Sequence, residues 1–590
     1  MDLRNFFITT ERPYTEGTVE VFQQQVTVRN LQRATLQITA LGLYEAEING
    51  RKVGDALFTP GYTYYPRNLH CQTYDVTELL QAESLLTVYL AQGWYCGRFT
   101  FDNKTQIYGS RPAAAWVLTI EDADGTSVYR STPETVQVLA SPYEYAGFYD
   151  GEIYRADGSS HAIFPPVAYD GPLPEIIEEA DMLVRIRETI PVQEVIHRGD
   201  VTVLDFGQNL AGIVTIDPLL MKSDTLRLRH GELLNADGSL YTNNLRKAKA
   251  EIVYHRGSSR ERYRPRFTYM GFRYVELSGA DYTDGLLTAY AIHSDLERTG
   301  HFTSENPLVD RLYRNQVWGQ KSNYVEVPTD CPQRDERMGY TGDGHVFALT
   351  GAYNFDTEAF WKKFLKDIRY SQMDNSEGYV AASIPALGKA GIGFMSMLGW
   401  GNAVCILPEL LYHQYGTEEP LRQQYTSMKQ FVECEIAKMG GLLGKKDLWL
   451  GPSLGDWLTL GRDVKYMAMH NGPVSNAFLV NDLRIMVWAA GLLGHPEDAA
   501  RYQTQLDKTR SAYLKAFVKP DGSLKDDYQG AYIMALQMVI PRGDLWNKVF
   551  AKLIAKIKEE GMQTGFFATE HILPLLADNG QAKLAFDLLL

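Results

Sequence analysis

Between Thr329 and Asp343 the chain reads TDCPQRDERMGYTGD, which puts four carboxylates (Asp330, Asp335, Glu336, Asp343) and two guanidinium groups (Arg334, Arg337) into fifteen residues. Pro328 and Pro332 prevent a continuous helix here, while Gly339 and Gly342 let the backbone turn back, so several acids can converge on one cavity. That grouping suits hydrolysis of a glycosidic bond. One protonated carboxyl delivers a proton to the leaving oxygen, and others hold hydroxyls and stabilise an oxocarbenium-like transition state. Like charges nearby raise one carboxyl toward working pH, and Arg334 and Arg337 are placed to keep the others ionised. Two plainer readings stand beside this one. Charge-rich loops are often solvated ion-pair clusters. Clustered oxygens also suit hard cations, but the regular Asp spacing and glycine of a calcium loop are missing, so no metal site is expected.

Aromatic residues add to the first reading. GFMSMLGWGNAV presents Trp400 between glycines, GPSLGDWLTLG pairs Asp456 with Trp457, and Tyr340 lies inside the acidic loop. A sugar has an apolar C–H face and a polar rim, which an aromatic platform beside a carboxylate complements. For any single Trp the competing expectation is a place in the core.

These residues need elements to position them. Residues 1–165 read as short strands with turn punctuation: ATLQITALGLYEAEINGRKVG alternates, then turns at Asn49-Gly50, a strong hairpin signal. The Pro/Gly-bearing stretch FPPVAYDGPLPEI marks a linker over 166–182, and residues 183–297 form a second β region, expected as another sandwich. From 298 onward the period becomes 3.6, starting with Asn306 as cap, Pro307 at the first helical position, and Leu308, Leu312 and Val317 beneath. About eleven helices follow without a fixed-period repeat, which favours a closed (α/α)6 toroid over a solenoid. QAKLAFDLLL ends the chain inside an apolar run with no cap or polar tail, so the toroid is expected to be incomplete at its C-terminus. The fold class is therefore multidomain β + α: two N-terminal β-sandwich domains followed by the toroid of 298–590.

Composition limits the partners. A net charge of −14 without a basic block argues against nucleic acid and anionic membranes as main partners. Five scattered cysteines, an N-terminus without a signal-like apolar run and the lack of a long apolar segment give a cytoplasmic expectation with no disulfide framework.

TDCPQRDERMGYTGD, followed by YNFD at 353–356, resembles the signature of the bacterial α-L-rhamnosidases, the inverting glycoside hydrolases of family 78. LGLYEAEINGRKVGD and QGWYCGR look like that family's N-terminal β domain, and DFGQNLAG, RHGELLNADG and FTYMGFRYVELSG like its next β domain. The resemblance implies release of terminal α-L-rhamnose from rhamnose-containing glycosides or oligosaccharides, without a cofactor, and is compatible with a homodimer. It gives Glu336 the role of general acid. Asp330 and Asp343 would hold rhamnose hydroxyls or support the acid, Arg334 would accompany them, and Tyr340, Trp400, Asp456 and Trp457 would line the sugar site. Tyr340 stands where the family usually has Trp, Asn402 where Asp is usual, and Met270 where His is usual, and these departures bear on substrate choice. The family's general base lies in a segment beyond LPLLADNG (573–580), which this chain is expected to lack, so the resemblance implies impaired turnover by these 590 residues; Glu570 aligns with no catalytic position. The other classes open at this point are a non-catalytic carbohydrate-binding protein and a toroid glycosidase acting on another sugar.

Overall fold

The computed structural model describes residues 2–123, 125–158, 162–178, 182–388, 390, 397–440 and 447–590. The chain divides into two compact units, one of Met1–Glu297, Arg314–Met338 and Leu387–Gly391, the other of Arg298–Tyr313, Gly339–Ala386 and Ile392–Leu590.

In the first unit the alternation of Leu31–Leu41 turns Ala34, Leu36, Ile38 and Ala40 into a core. This strand is central in a seven-stranded sheet whose main order is Pro166–Ala168, Ile8–Thr10, Ala113–Asp122, Leu31–Leu41, Asn68–Asp75 and Glu175–Glu178. A five-stranded sheet supplies Phe22, Val26, Leu86, Val88 and Leu90 to the same core, which makes a sandwich. Trp116 is fully buried there and satisfies its indole N–H on Gln24 Oε1 at 2.8 Å, as a buried Trp must. The hairpin expected at Asn49-Gly50 is present, with both residues at positive φ (54° and 76°) and Ile48 opposite Arg51.

Two expectations for this half change. The segment read as a linker supplies both edge strands of the seven-stranded sheet, Pro166–Ala168 against Ile8–Thr10 and Glu175–Glu178 against Asn68–Asp75, while 179–181 lie outside the described residues. Its prolines are compatible with strands because an edge leaves one side of the backbone without ladder partners. Residues Tyr143–Gly147 and Gly151–Arg155, expected in the first β domain, belong instead to the next sheet, where Gly151–Arg155 runs parallel to Glu251–His255. Gly151 makes that approach feasible: its φ is +103°, and a Cβ there would fall 1.8 Å from the Glu251 carbonyl oxygen.

The second β region is built on a nine-stranded sheet in which Met270–Ser278 lies between Thr225–Gly231 and the long strand Val201–Ile216. Met270 itself is buried. Next to it, Gly271 lets the acidic loop lie on the strand, because a Cβ there would meet Pro332 and Gln333 at 2.8 Å. The sheet thus fixes the loop from below.

The second unit is helical. Among the described residues from 298 onward, whichever unit they belong to, twelve helices run from Pro307–Asn323 to Ala582–Leu589, two of them only six residues long, against about eleven expected. Neighbours in sequence pack as antiparallel pairs, including Ala403–Tyr415 with Glu419–Lys438 and Gly472–Leu492 with Pro496–Phe517. Asn306 Oδ1 accepts from the Leu308 N–H as the cap reading requires, but Leu308 and Leu312 are exposed and only Val317 of that trio is buried. No helix among the described residues is long and apolar enough to cross a membrane.

Candidate active site

The acidic loop closes on itself through Asp330. Its N–H donates to the Met338 carbonyl at 3.1 Å, and its Oδ1 accepts from the Met338 N–H at 2.8 Å, so the intervening residues form a tight excursion. Arg334 then links two acids, donating from Nη2 to Asp330 Oδ2 at 3.0 Å and from Nε to Glu336 Oε2 at 2.9 Å. A planar guanidinium can present two N–H groups to two carboxylates at once, which an ammonium point charge cannot do with the same geometry.

Arg337 has a different role from the one expected. It is buried and donates to the carbonyls of Tyr269, Gln333 and Arg334 while lying over the rings of Tyr149 and Tyr269, so it clamps the loop's backbone and does not neutralise the acids. Asp335 is also a strap. Its carboxylate accepts from Asn103 Nδ2 and from Arg246 Nε, both at 2.8 Å.

Residues far away in the sequence, which no local pattern links to the loop, complete the setting of Glu336. Tyr149 donates its hydroxyl to the Glu336 carbonyl at 2.7 Å, and Arg246 Nη2 reaches Glu336 Oε2 at 2.9 Å. Arg246 holds φ 56°, ψ −106°, a strained conformation for a residue with a side chain, of the kind kept where surrounding contacts over-determine it.

Burial and a neighbouring charge act together on Asp330. Burial, and then the charge of Glu336, push the Asp330 carboxyl up to about 7, against the opposing pull of the Cys331 thiol, the Met338 N–H and Arg334. Asp330 thus retains a proton near neutral pH. Oxygens of Asp330 and Glu336 and the Cys331 sulfur lie within 4.8 Å of one another, a grouping able to hold a cation. The Arg334 guanidinium already supplies positive charge to both carboxylates there.

In the second unit the candidates separate. Asp343 is half-buried in the first turn of Thr341–Asn354, where a negative charge is favoured by the helix dipole. Tyr340 is buried immediately before that helix. Trp457 is half-buried and keeps part of its surface accessible.

Trp400 and Asp456 do not fit the roles expected of them. Trp400 is buried against Phe566 and Phe567, and a Cβ on Gly342 would strike its ring at 2.8 Å, so it is core. Asp456 is fully buried, with Oδ2 accepting from Gly565 N–H at 2.7 Å and Oδ1 from Ala568 N–H at 3.0 Å. It caps the start of helix Phe566–Ala577, and burial pushes its carboxyl up to about 6. Glu570, on that helix, lines a cavity of about 470 Å³ with His345, Phe478, Phe567 and His571.

Comparison with known proteins agrees with this architecture. The bacterial alpha-L-rhamnosidase six-hairpin glycosidase domain matches residues 297–590, the alpha-L-rhamnosidase N-terminal domain residues 29–163, and the bacterial alpha-L-rhamnosidase concanavalin-like domain residues 196–293. An alpha-L-rhamnosidase of Streptomyces avermitilis is 36% identical over 579 residues, covering 95% of this chain and 54% of that relative. The solved structure of the Streptomyces avermitilis alpha-L-rhamnosidase complexed with L-rhamnose superposes with a TM-score of 0.88 at 33% identity, over 97% of this chain and 56% of the other. The native enzyme from Aspergillus terreus gives a TM-score of 0.90 at 29% identity, over 99% of this chain and 70% of the other. A β plus α chain with a six-hairpin domain and paired carboxylates on one arginine defines a glycosidase class of fold. The chain belongs to the bacterial α-L-rhamnosidase family. It spans 54% to 64% of the length of the curated relatives it matches.

Proposed function

We propose that the protein is a glycoside hydrolase releasing terminal α-L-rhamnose from rhamnose-containing glycosides. The observation that carries this reading is the Asp330–Arg334–Glu336 arrangement, in which a single guanidinium binds a carboxylate at each end. Its support beyond this chain is the L-rhamnose complex of the Streptomyces avermitilis relative.

In this reading Glu336 is the proton donor. Its Oε2 accepts from both Arg334 and Arg246. Asp330, on the other side of Arg334, supports the acid, while Asp343 and Trp457 serve the sugar. As the glycosidic bond lengthens, the proton passes to the leaving oxygen, and the charge left on Glu336 is met by two guanidinium groups already in place. Arg334 therefore favours the state after transfer. The same reading puts the protein in a reducing compartment, supported by five buried cysteines without a disulfide among them.

The test is release of rhamnose from an aryl α-L-rhamnoside by the full chain. Glu336→Gln keeps size and hydrogen bonding but carries no transferable proton, and is expected to lower kcat by about 10²- to 10⁴-fold with the circular dichroism spectrum unchanged. Turnover that survives the substitution would remove Glu336 from the acid's role.

A further inference from the structure

The rhamnoside reading leaves without a role the cavity of about 470 Å³ that Glu570 lines in the helical unit. We infer that this cavity is a second ligand site, one that takes an organic cation: a substituted ammonium with an apolar or aromatic body, held by the Glu570 carboxylate against the rings of Phe478 and Phe567. The inference goes beyond the rhamnoside reading and does not depend on it.

The walls come from four helices far apart in sequence, Thr341–Asn354, Ala403–Tyr415, Gly472–Leu492 and Phe566–Ala577, and from the π-helical turn Ala535–Val539, which contributes Gln537 and Met538. A π-helical turn is rare and is found disproportionately at functional sites. The deep part of the cavity is aromatic. Phe478 and Phe567 are buried with ring centroids 4.7 Å apart, and the buried His345 stacks on Phe567 at 5.7 Å. A space of this volume with such a lining suits a small organic molecule.

The charge of the ligand follows from the groups that face Glu570. Its side chain is only 27% exposed, and its carboxylate accepts no hydrogen bond among the described residues; the His571 ring stands 3.9 Å away. Burial holds His571 and His345 down at about 4, so both rings are neutral near pH 7 and supply no counter-charge. On helix Ala403–Tyr415, Glu409 is already taken by Arg484 of Gly472–Leu492, through bonds of 2.8 and 2.7 Å. Tyr353 and His413 are exposed, and the π-helical turn brings no ionisable group. A carboxylate kept from water without a partner is costly, and either a proton or a cation removes that cost. A cation with an apolar body also gains from the aromatic wall, since ring faces attract alkylated ammonium groups. A metal ion fits less well, because among the described residues the only three side chains close enough to share one are Asp330, Cys331 and Glu336. An anion would be repelled.

Calorimetric titration of the full chain tests the assignment, with trimethyl(phenyl)ammonium and its neutral isostere tert-butylbenzene as probes. Burial raises the Glu570 carboxyl to about 7, so the cation meets a carboxylate above that pH and a neutral acid below it. At about pH 8.5 the ammonium is expected to bind about tenfold more tightly than the isostere, and at about pH 5.5 the two should come to within about threefold. This pH series uses the wild type alone. In Glu570→Gln, which keeps the shape and removes the charge, the preference should be lost at both pH values while the melting transition stays cooperative. The variant also separates the cavity from diffuse attraction of cations to a chain of net charge −14, which one charge in the total scarcely alters. Equal affinities at about pH 8.5, a preference that Glu570→Gln keeps, or binding of neither probe would overturn the site.

Discussion

At the scale of single residues, the acids of this protein differ by their surroundings more than by their type. Asp330 and Glu336 share Arg334, Asp335 is spent on Asn103 and Arg246, Asp456 caps a helix, and Glu570 lines a cavity. Glu570 gives the clearest pH prediction because burial alone raises its carboxyl, to about 7 from 4.5. The folded state therefore prefers the protonated form. This contribution to stability is complete below about pH 4.5, where the unfolded chain is protonated too, and is lost as pH rises through about 7. Glu570→Gln imitates the neutral acid at every pH. Its melting temperature should match the wild type near about pH 4.5 and exceed it above about pH 8, by a stabilisation of up to about 3 kcal/mol. A variant no more stable than the wild type in alkali would show that the carboxylate has a partner in solution. Glu336, Asp330 and Arg334 were legible in the sequence because all three lie within seven residues of one loop. Trp400 and Asp456 were misread because what satisfies each of them lies far along the chain, and Arg337 because it binds the loop's own carbonyls and the distant Tyr269 in place of the acids. The Asn402 departure has the same cause: its amide donates to the buried Asp482 at 2.6 Å, and an Asp at 402 would set two carboxylates against each other.

At the scale of elements, strand period and turn chemistry revealed the hairpin at Asn49-Gly50 and the buried face of Leu31–Leu41, since both are encoded within a few residues. Strand partners were less visible. The parallel pairing of Gly151–Arg155 with Glu251–His255 spans about a hundred positions, and alternation does not name the partner. One such long-range contact governs the site, that of the acidic loop on strand Met270–Ser278. Gly271→Ala would push a methyl group against Pro332 and Gln333, whose nearest atoms lie at 2.8 Å. Overpacking of this kind costs about 1–3 kcal/mol. Because the loop is the part able to shift, turnover should fall by about 10- to 100-fold while the melting temperature drops by only a few degrees. A large loss of stability with kcat intact would mean that the strand yields and the loop does not.

At the scale of the whole molecule, the sequence places the acidic loop at the opening of the helical half, and the six-hairpin match begins at 297. The compact units divide differently, with Arg314–Met338 belonging to the β unit. The reason is physical: every side-chain hydrogen bond described for Glu336 and Asp335 comes either from the loop itself or from Asn103, Tyr149 and Arg246, all of them upstream of 297. A fragment of 298–590 would carry Glu336 without Arg246 to hold its carboxylate or Tyr149 to hold its backbone, and without Tyr269 under Arg337. That fragment is expected to be helical by far-ultraviolet circular dichroism yet to release no rhamnose, and co-expression with 1–297 should restore turnover. Rhamnose release by the helical fragment alone would mean that the acid is positioned within the helical half and that the contacts from the β unit serve stability only.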